Sequence, residues 1–414
     1  MTEEQVIEIT KAAKRATASF RGEGLQKRSA FFNCLAKLLG EKRNDIKVAN
    51  AKDIEQAKEN QLSKSMIDRL VLNDQRIDDL IASLGEIDKF EDPLNISEGR
   101  MLENGLVLQK VKVGIGVVGF IYESRPNVTI DAVALCVKSG NAVILKGGKE
   151  AIHSNIILET LCRKALLEVG LPVELATLLD CSDRKMVEYL VKQEETVDVV
   201  IPRGGHGLIR AVVEMSQVPV IKHDAGNCHI YVHESADFDK AYAIINNAKT
   251  QRTGVCNALE SLVIDQAVYQ QFLPELERVL EGVELRACEK SHGVFKNSVE
   301  ASEEDYGEEY LDMILSVKVV NGINEAIEHI TKYSSGHTEA ILAQNIDATT
   351  RFLNEIDSSV VLVNASTRFS DGGQFGLGAE IGISTNRLHA RGPMGAHQLT
   401  TYKYQVLGSG QIRG

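Results

Sequence analysis

The chain has 414 residues, too many for one ordinary core, so two or three domains are expected. A hydrophobic fraction of 43%, a charged fraction of 25% and a net charge of −12 describe a globular chain and disfavour a general nucleic-acid or anionic-membrane binder. Seven cysteines without a CxxC pair suggest neither a disulfide framework nor a zinc ribbon. The start, Met1-Thr2-Glu3-Glu4, has no basic-then-apolar pattern, and no apolar run reaches the ~20 residues that span a bilayer, so a cytoplasmic protein is expected.

In chain order, the first segment reads as helices. Phe31, Phe32, Leu35, Leu38 and Leu39 share a face before Gly40, and Ile77, Leu80, Ile81 and Leu84 repeat the pattern before Gly85. Glu103-Asn104-Gly105 between apolar runs predicts a hairpin over 96–112. Such a hairpin is too small to bury its own apolar residues. Pairing with Thr400–Leu407 of another subunit, and hence a homo-oligomer, is expected.

From Gly114 the pattern alternates. Apolar runs at 117–122, 142–145, 176–179 and 197–201 are separated by helical stretches at 130–137, 156–167 and 186–191. Continuous apolar strands alternating with helices predict a parallel sheet covered on both faces. The alternation restarts after Gly226 with a helix at 238–248, a strand at 259–265, helices at 269–280 and 323–333, and strands near 340–342 and 360–363. The polar stretch 289–307 reads as a loop. The expected class is therefore α/β, with two parallel-sheet domains.

Gly114-Ile115-Gly116-Val117-Val118-Gly119 matches GxGxxG, but another strand-like run follows instead of a helix. The reading is a strand against which another backbone packs closely, not a dinucleotide fingerprint. Lys146-Gly147-Gly148-Lys149-Glu150 ends a buried strand ahead of a helix, where lysine, glycine and a helix N-terminus favour an anion. It is not a Walker A loop, because Glu150 follows Lys149. Pro202-Arg203-Gly204-Gly205-His206-Gly207 repeats the arrangement at the next strand end, where open α/β sheets bind ligands.

Gln251-Arg252-Thr253-Gly254-Val255-Cys256-Asn257 sets a cysteine in a polar, Gly-containing loop, unlike the apolar settings of Cys136 and Cys162. Partial exposure near Arg252 suits a reactive thiol. His223, Cys228, His229 and His233 fit no standard zinc spacing, so no metal is expected. The Gly-dense stretch 369–382 reads as a loop pressed on a ligand or another backbone.

Taken in order, these segments resemble the aldehyde dehydrogenase superfamily over nearly the whole chain. The most specific pieces are Gly116–Thr129, Ile201–Gly205 and the stretch from Glu325-Ala326-Ile327-Glu328-His329-Ile330 to Ser335-Gly336-His337-Thr338-Glu339-Ala340-Ile341. The last is similar to a signature of the branch that reduces an acyl phosphate. The resemblance implies an NADP-binding domain from 1–96 and 113–225, a catalytic domain from 226–398, and an oligomerisation arm from 97–112 and 399–414. It implies Cys256 as nucleophile and Lys146, Gly147, Gly148, Gly204, Gly205 and Glu309 at the cofactor. The hydrolytic relatives' oxyanion-hole asparagine aligns with Ser124, with Asn127 close by. Their general-base glutamate falls at His223 or Asp224, where no glutamate stands. Arg125 and Arg252 are expected to bind substrate, with Arg368 and Arg391 as further candidates for its carboxylate. The implied activity is NADPH-dependent reduction of L-glutamyl 5-phosphate through a cysteine thioester, with glutamate 5-kinase as a partner. A hydrolytic or acetylating dehydrogenase and a silent nucleotide-binding partner of that kinase remain the alternatives.

Overall fold

The computed structural model describes every residue except Cys181, Ser182, His223, Asp224, Gly378 and Gly414, and excludes the side chain of Ser65. The chain forms two compact units. The first comprises 1–222, 376–382 and 394–414, and the second 223–375 and 383–393. The stretches 376–382 and 394–398, read with the catalytic domain, thus lie in the first unit, as does the hairpin arm.

The first unit opens with α1 (Glu3–Phe20), α2 (Leu25–Glu41), α3 (Arg43–Glu59), α4 (Lys64–Leu70) and α5 (Asp74–Lys89). Good start signals explain several of these boundaries: Thr2 forms a capping box on α1, and Ser63 and Asn73 cap α4 and α5 with their side chains. The hairpin β1 (Ser97–Met101) and β2 (Val107–Gly114) follows, and its strands pair antiparallel. The partner of β2 is the C-terminal strand Thr400–Leu407 of the same chain, in register from Thr400 opposite Gly114 to Leu407 opposite Val107. This corrects the expectation that another subunit supplies that strand. A segment ~300 residues away reaches β2 because the chain returns to the first unit, a long-range closure that local pattern does not encode.

The nucleotide-type core consists of β3 (Val117–Tyr122), α6 (Asn127–Lys138), β4 (Ala142–Gly147), α7 (Ile152–Glu168), β5 (Ala176–Leu178), α8 (Lys185–Val191), β6 (Val199–Arg203) and α9 (His206–Met215). Its sheet order is β5-β4-β3-β6, all parallel. Every residue of β3 and β4 is buried, which requires cover on both faces. Of the GxGxxG match, Gly114 and Gly116 precede β3 and Gly119 lies within it, so no helix follows the glycines. A Cβ on Gly114 would lie 2.5 Å from the Gly140 carbonyl oxygen, so close backbone approach explains that glycine.

The second unit contains β7 (Cys228–Val232), α10 (Phe238–Thr250), β8 (Leu259–Asp265), α11 (Tyr269–Val279), β9 (Glu284–Ala287), α12 (Glu289–His292), β10 (Val299–Glu300), β11 (Ile314–Val320), α13 (Gly322–Tyr333), β12 (Thr338–Leu342), α14 (Ile346–Glu355) and β13 (Val360–Val363). They build a parallel sheet in the order β10-β9-β11-β8-β7-β12-β13. Its two faces are separate cores. Ile230, Val232, Leu262 and Ile264 pack with Ile245, Phe272 and Leu276, whereas Tyr231 and Val263 pack with Ala326, Ile330 and Phe352. The period-2 split along β7 and β8 is what a doubly covered sheet requires. The stretch 289–307, expected to be a loop, holds α12, β10 and a 3-10 turn at Glu304–Tyr306, because the parallel partner β9 recruits Val299 and Glu300 as an edge.

Candidate active site

In the first unit, β3, β4 and β6 are neighbours, so their C-terminal ends bring Glu123-Ser124-Arg125, Lys146-Gly147-Gly148 and Arg203-Gly204-Gly205 to one sheet edge. Lys146 is buried to 6% exposure, and its Nζ donates to the Gly147 carbonyl at 2.8 Å. The glycines are needed for space. A Cβ on Gly147 would collide with the Asn155 amide, and one on Gly204 would lie 2.7 Å from Leu208 Cδ2 and also collide with Glu123. Asn155 is itself fully buried, and its Nδ2 has no hydrogen-bond partner.

The helix ends at this edge carry carboxylates already. Asp53 of α3 accepts the backbone N–H groups of His153 and Ser154, at 3.1 and 2.8 Å, and so caps α7. Glu123 accepts the Gly205 N–H at 3.0 Å ahead of α9. The N-terminus of α7, expected to favour an anion, is therefore satisfied by a residue 100 positions upstream. The features that remain for a dinucleotide are the Lys146 ammonium, the bare glycine backbone and carboxylates suited to ribose hydroxyls. This edge fits such a group.

Ser124 and Asn127, the expected oxyanion donors, are engaged locally. Ser124 sits at φ +48°, and both its N–H and its Oγ donate to Glu150 Oε1, at 2.6 and 2.9 Å. Asn127 Nδ2 donates to Asp131 at 3.1 Å. Burial pushes the Asp131 carboxyl up to about 6, opposed by Arg203 and by the Asn127 hydrogen bond. Glu150 carried no sequence signal of this role, because its partner lies in a different loop.

In the second unit, Cys256 occupies the loop between α10 and β8 and is partly exposed. Cys136, Cys162 and Cys228 are buried, and burial pushes each of these thiols up. The loop is held from several sides. Asn257 Nδ2 donates to the Ser370 carbonyl at 2.9 Å, and Thr367 Oγ1 donates to the Asn257 carbonyl at 2.8 Å. A Cβ on Gly226 would stand 2.5 Å from Cys256 Cα, so the chain entering β7 is pressed against the backbone of Cys256. Cys228 Sγ donates to the Cys256 carbonyl at 3.2 Å. The sequence showed the Gly226–His229 stretch only as a poor metal match. Among the described residues no group of three or more His, Cys, Asp or Glu side chains is arranged to hold a metal.

Arg368 Nε donates to Gln251 Oε1 at 2.9 Å, which sets its guanidinium at the start of the Cys256 loop. Burial, and then the neighbouring charge of Arg252, hold Arg368 below the usual guanidinium range, while Asp371 and Cys256 oppose this. The structure thus brings Arg252, Arg368 and Cys256 together. Arg391 does not join them, because it pairs with Asp357 at 2.6 Å. Arg125 belongs to the first unit. Glu309 is half-buried, and its charge raises both Cys228 and Glu260, which places it in the same electrostatic neighbourhood as Cys256.

Behind the loop, Lys249 at the end of α10 and Glu260 on β8 form an ion pair of 2.6 Å with both side chains fully buried. Burial pushes Glu260 up and Lys249 down, and their mutual attraction opposes both shifts. The other Glu260 oxygen accepts the N–H of Leu311, a non-glycine residue at φ +54° two positions after Glu309. Sequence reading missed this pair, since an exposed lysine and an exposed glutamate look the same. His223 and Asp224, the positions aligned with the hydrolytic base, lie outside the described residues.

The aldehyde dehydrogenase family model matches residues 1–292. The fold agrees with that of an acetylating aldehyde dehydrogenase from Geobacillus thermoglucosidasius, at a TM-score of 0.71 and 17% identity over 100% of this chain and 98% of that one. Fold and family together define an oxidoreductase of the aldehyde dehydrogenase class, which implies a nicotinamide cofactor. Gamma-glutamyl phosphate reductase of Nautilia profundicola is 51% identical over 99% of each chain. The crystal structure of gamma-glutamyl phosphate reductase from Thermotoga maritima superposes at a TM-score of 0.97, with 44% identity over 99% of this chain and 100% of that one. The chain belongs to the gamma-glutamyl phosphate reductases within the aldehyde dehydrogenase family.

Proposed function

We propose that the protein reduces L-glutamyl 5-phosphate to L-glutamate 5-semialdehyde and phosphate in proline biosynthesis, with NADPH as reductant and a thioester on Cys256. The observation that carries the reading is the setting of Cys256. It is a partly exposed cysteine in a braced loop, with Arg252 and Arg368 at hand, in a chain 51% identical to a reductase of that name.

The thiolate of Cys256 attacks the acyl carbon, and the C–O bond to phosphate breaks. The phosphate departs with the bonding electron pair, leaving the thioester. Its backbone N–H stabilises the tetrahedral oxyanion, an interaction whose loss typically costs about 2.7–4 kcal/mol of barrier. Ser124 and Asn127 would assist as donors on exchanging their bonds to Glu150 and Asp131. Arg252 holds the substrate's anionic groups, with Arg125 as a second candidate. Lys146, Gly147, Gly148, Gly204, Gly205 and Glu309 bind and orient the dinucleotide. When bound, NADPH supplies the hydride that reduces the thioester carbonyl, after which the hemithioacetal collapses and returns the Cys256 thiolate.

Phosphate dependence tests this against a hydrolytic dehydrogenase. Enzyme, semialdehyde and NADP without phosphate should give a single burst of NADPH, extended on adding phosphate. Sustained turnover to glutamate without phosphate would overturn the assignment, because a water-activating base is worth about 10²–10⁴-fold.

The reading extends to assembly and location. Met101, Tyr402, Tyr404, Val406 and Leu407 remain exposed on the three-stranded sheet, and a second copy of the chain is the proposed cover. A light-scattering mass of a single chain at micromolar concentration would reject that. A kinase that makes the acyl phosphate, glutamate 5-kinase, is the proposed partner, and co-sedimentation of the two purified proteins tests it. A cytoplasmic location is part of the same proposal; no helix among the described residues is long and apolar enough to cross a membrane.

A further inference from the structure

The stretch from Glu325 to Ile341 resembles a signature of the acyl-phosphate-reducing branch, yet the proposed reaction uses none of its side chains. It forms α13 and β12, and its polar groups converge on the first residues of β7. The Asn227 N–H donates to Ser335 Oγ at 3.1 Å, and Asn227 Nδ2 donates to the carbonyls of Tyr306 and Tyr333 at 2.8 and 2.9 Å. The His229 N–H and Nδ1 both meet Glu339 Oε2, at 2.8 and 3.0 Å. Glu339 Oε1 accepts from the hydroxyls of Ser334 and Ser358. His337 Nδ1 lies 2.8 Å from Thr338 Oγ1 and 3.7 Å from Cys228 Sγ. Asn227, Cys228, His229, His337 and Glu339 are all buried.

Of the residues that this stretch meets, Cys228 also touches Cys256, and Gly226 stands two positions before it. Gly226 abuts the Cys256 backbone, and Cys228 donates its thiol hydrogen to the Cys256 carbonyl. Gathering so many polar groups is a poor way to gain stability, since apolar side chains of equal volume do as well. What hydrogen bonds add is direction, because each fixes an angle where apolar packing fixes only volume. Here the last bond of the network ends on the peptide plane between Cys256 and Asn257, and Asn257 is fixed from the other side by Ser370 and Thr367. Burial keeps Cys228 protonated, with the charge of Glu339 adding to the effect, so the thiol remains a donor at neutral pH.

We infer that Cys228 is a positioning residue for the reaction, through which the stretch ending at Glu339 orients the main chain of Cys256. The orientation of that peptide fixes the main chain at Cys256 Cα and hence the direction of the thiolate, so a small rotation costs rate without altering what the protein binds. The inference rests on Cys256 being the nucleophile, and it assigns a task to residues that do not meet the substrate.

The test compares Cys228→Ala, Cys228→Ser and Cys256→Ala in the full-length enzyme. Steady-state kinetics are run with semialdehyde, NADP and phosphate. The alkylation rate of Cys256 by iodoacetamide is followed by peptide mass mapping, and thermal midpoints are recorded alongside. Loss of one neutral hydrogen bond predicts that Cys228→Ala lowers kcat about five- to tenfold, with both KM values within about twofold of the parent. Cys228→Ser keeps a donor and should recover kcat to within about twofold, with Cys256 alkylation moving in the same order. An unchanged kcat in Cys228→Ala, or equal losses in the alanine and serine variants, would overturn the inference. Should Cys228→Ala fail to fold, Glu339→Gln replaces it. That variant should lower kcat at constant KM, and an unchanged kcat there would overturn the inference equally. Turnover by Cys256→Ala would instead remove the nucleophile assignment itself, whereas a dead Cys256→Ala beside a fully active Cys228→Ala removes only the positioning role.

Discussion

At the edge of the first sheet the chain leaves side chains out, while around Cys256 it crowds them in. Lys146 stands among Gly147, Gly148, Gly204 and Gly205, and the helix ends beside it are closed by Asp53 and Glu123. The Cys256 loop, by contrast, is held by Asn257, Thr367, Cys228 and the bare face of Gly226. The proposed function gives the two regions different tasks, and the difference follows from them. A cofactor must enter and leave, so its platform needs open backbone and few committed partners. A nucleophile must hold one direction, so its loop is pinned by bonds on both flanking peptides.

Substitutions that reverse these roles should therefore have unequal effects. The largest is expected for Cys256→Ala, which removes the covalent route. Turnover should fall below about a thousandth of the parent while NADPH binding persists. A residual rate well above that would break the comparison by showing that the crowded loop serves no nucleophile. Next is Gly226→Ala, where the added Cβ meets backbone atoms of Cys256 that cannot rotate away. It should lower kcat by about tenfold or more, because a misplacement near 1 Å can cost about 10²-fold. The equivalent intrusion at Gly205, where nothing lies closer than 4.0 Å, should leave kcat nearly unchanged and weaken cofactor binding instead. Equal kcat losses at the two glycines would erase the distinction between platform and clamp.

Lys249→Met probes what lies under the crowded loop. Removing one member of a fully buried ion pair leaves Glu260 uncompensated and should cost about 3–5 kcal/mol, read as a lowered denaturation midpoint. Lys146→Ala probes the open edge. A lost charge-assisted hydrogen bond should weaken NADPH binding by about 1.5–3 kcal/mol in calorimetry, with little change in the rate of the bound complex.

The smallest effect concerns pH. Asp131 has its folded pKa raised to about 6, so its contribution to stability is present below the ordinary carboxylate value and is lost as pH rises through 6. Asp131→Asn should remove that loss, so its stability relative to the parent should improve between pH 4 and about 7. A constant difference across that window would mean that Asp131 does not titrate there.

Much of this molecule was legible in the order of its residues. The runs at 117–122 and 142–145 are continuous and apolar because their strands are buried on both faces, and burial is written directly into composition. The setting of Cys256 was also readable, since its polar, glycine-containing neighbours differ from the apolar stripes around Cys136 and Cys162. What the sequence could not show were partnerships between distant segments. Asp53 caps a helix 100 residues away, Lys249 finds Glu260 across a loop, and Thr400–Leu407 closes on β2 of its own chain. A carboxylate, a lysine or a polar strand carries no mark of its partner, because each would be equally stable in water. Only the folded chain, by burying both members together, decided that Gly226 and Cys228 meet the backbone of Cys256, and that Ser335 and Glu339 grip Asn227 and His229 beside them.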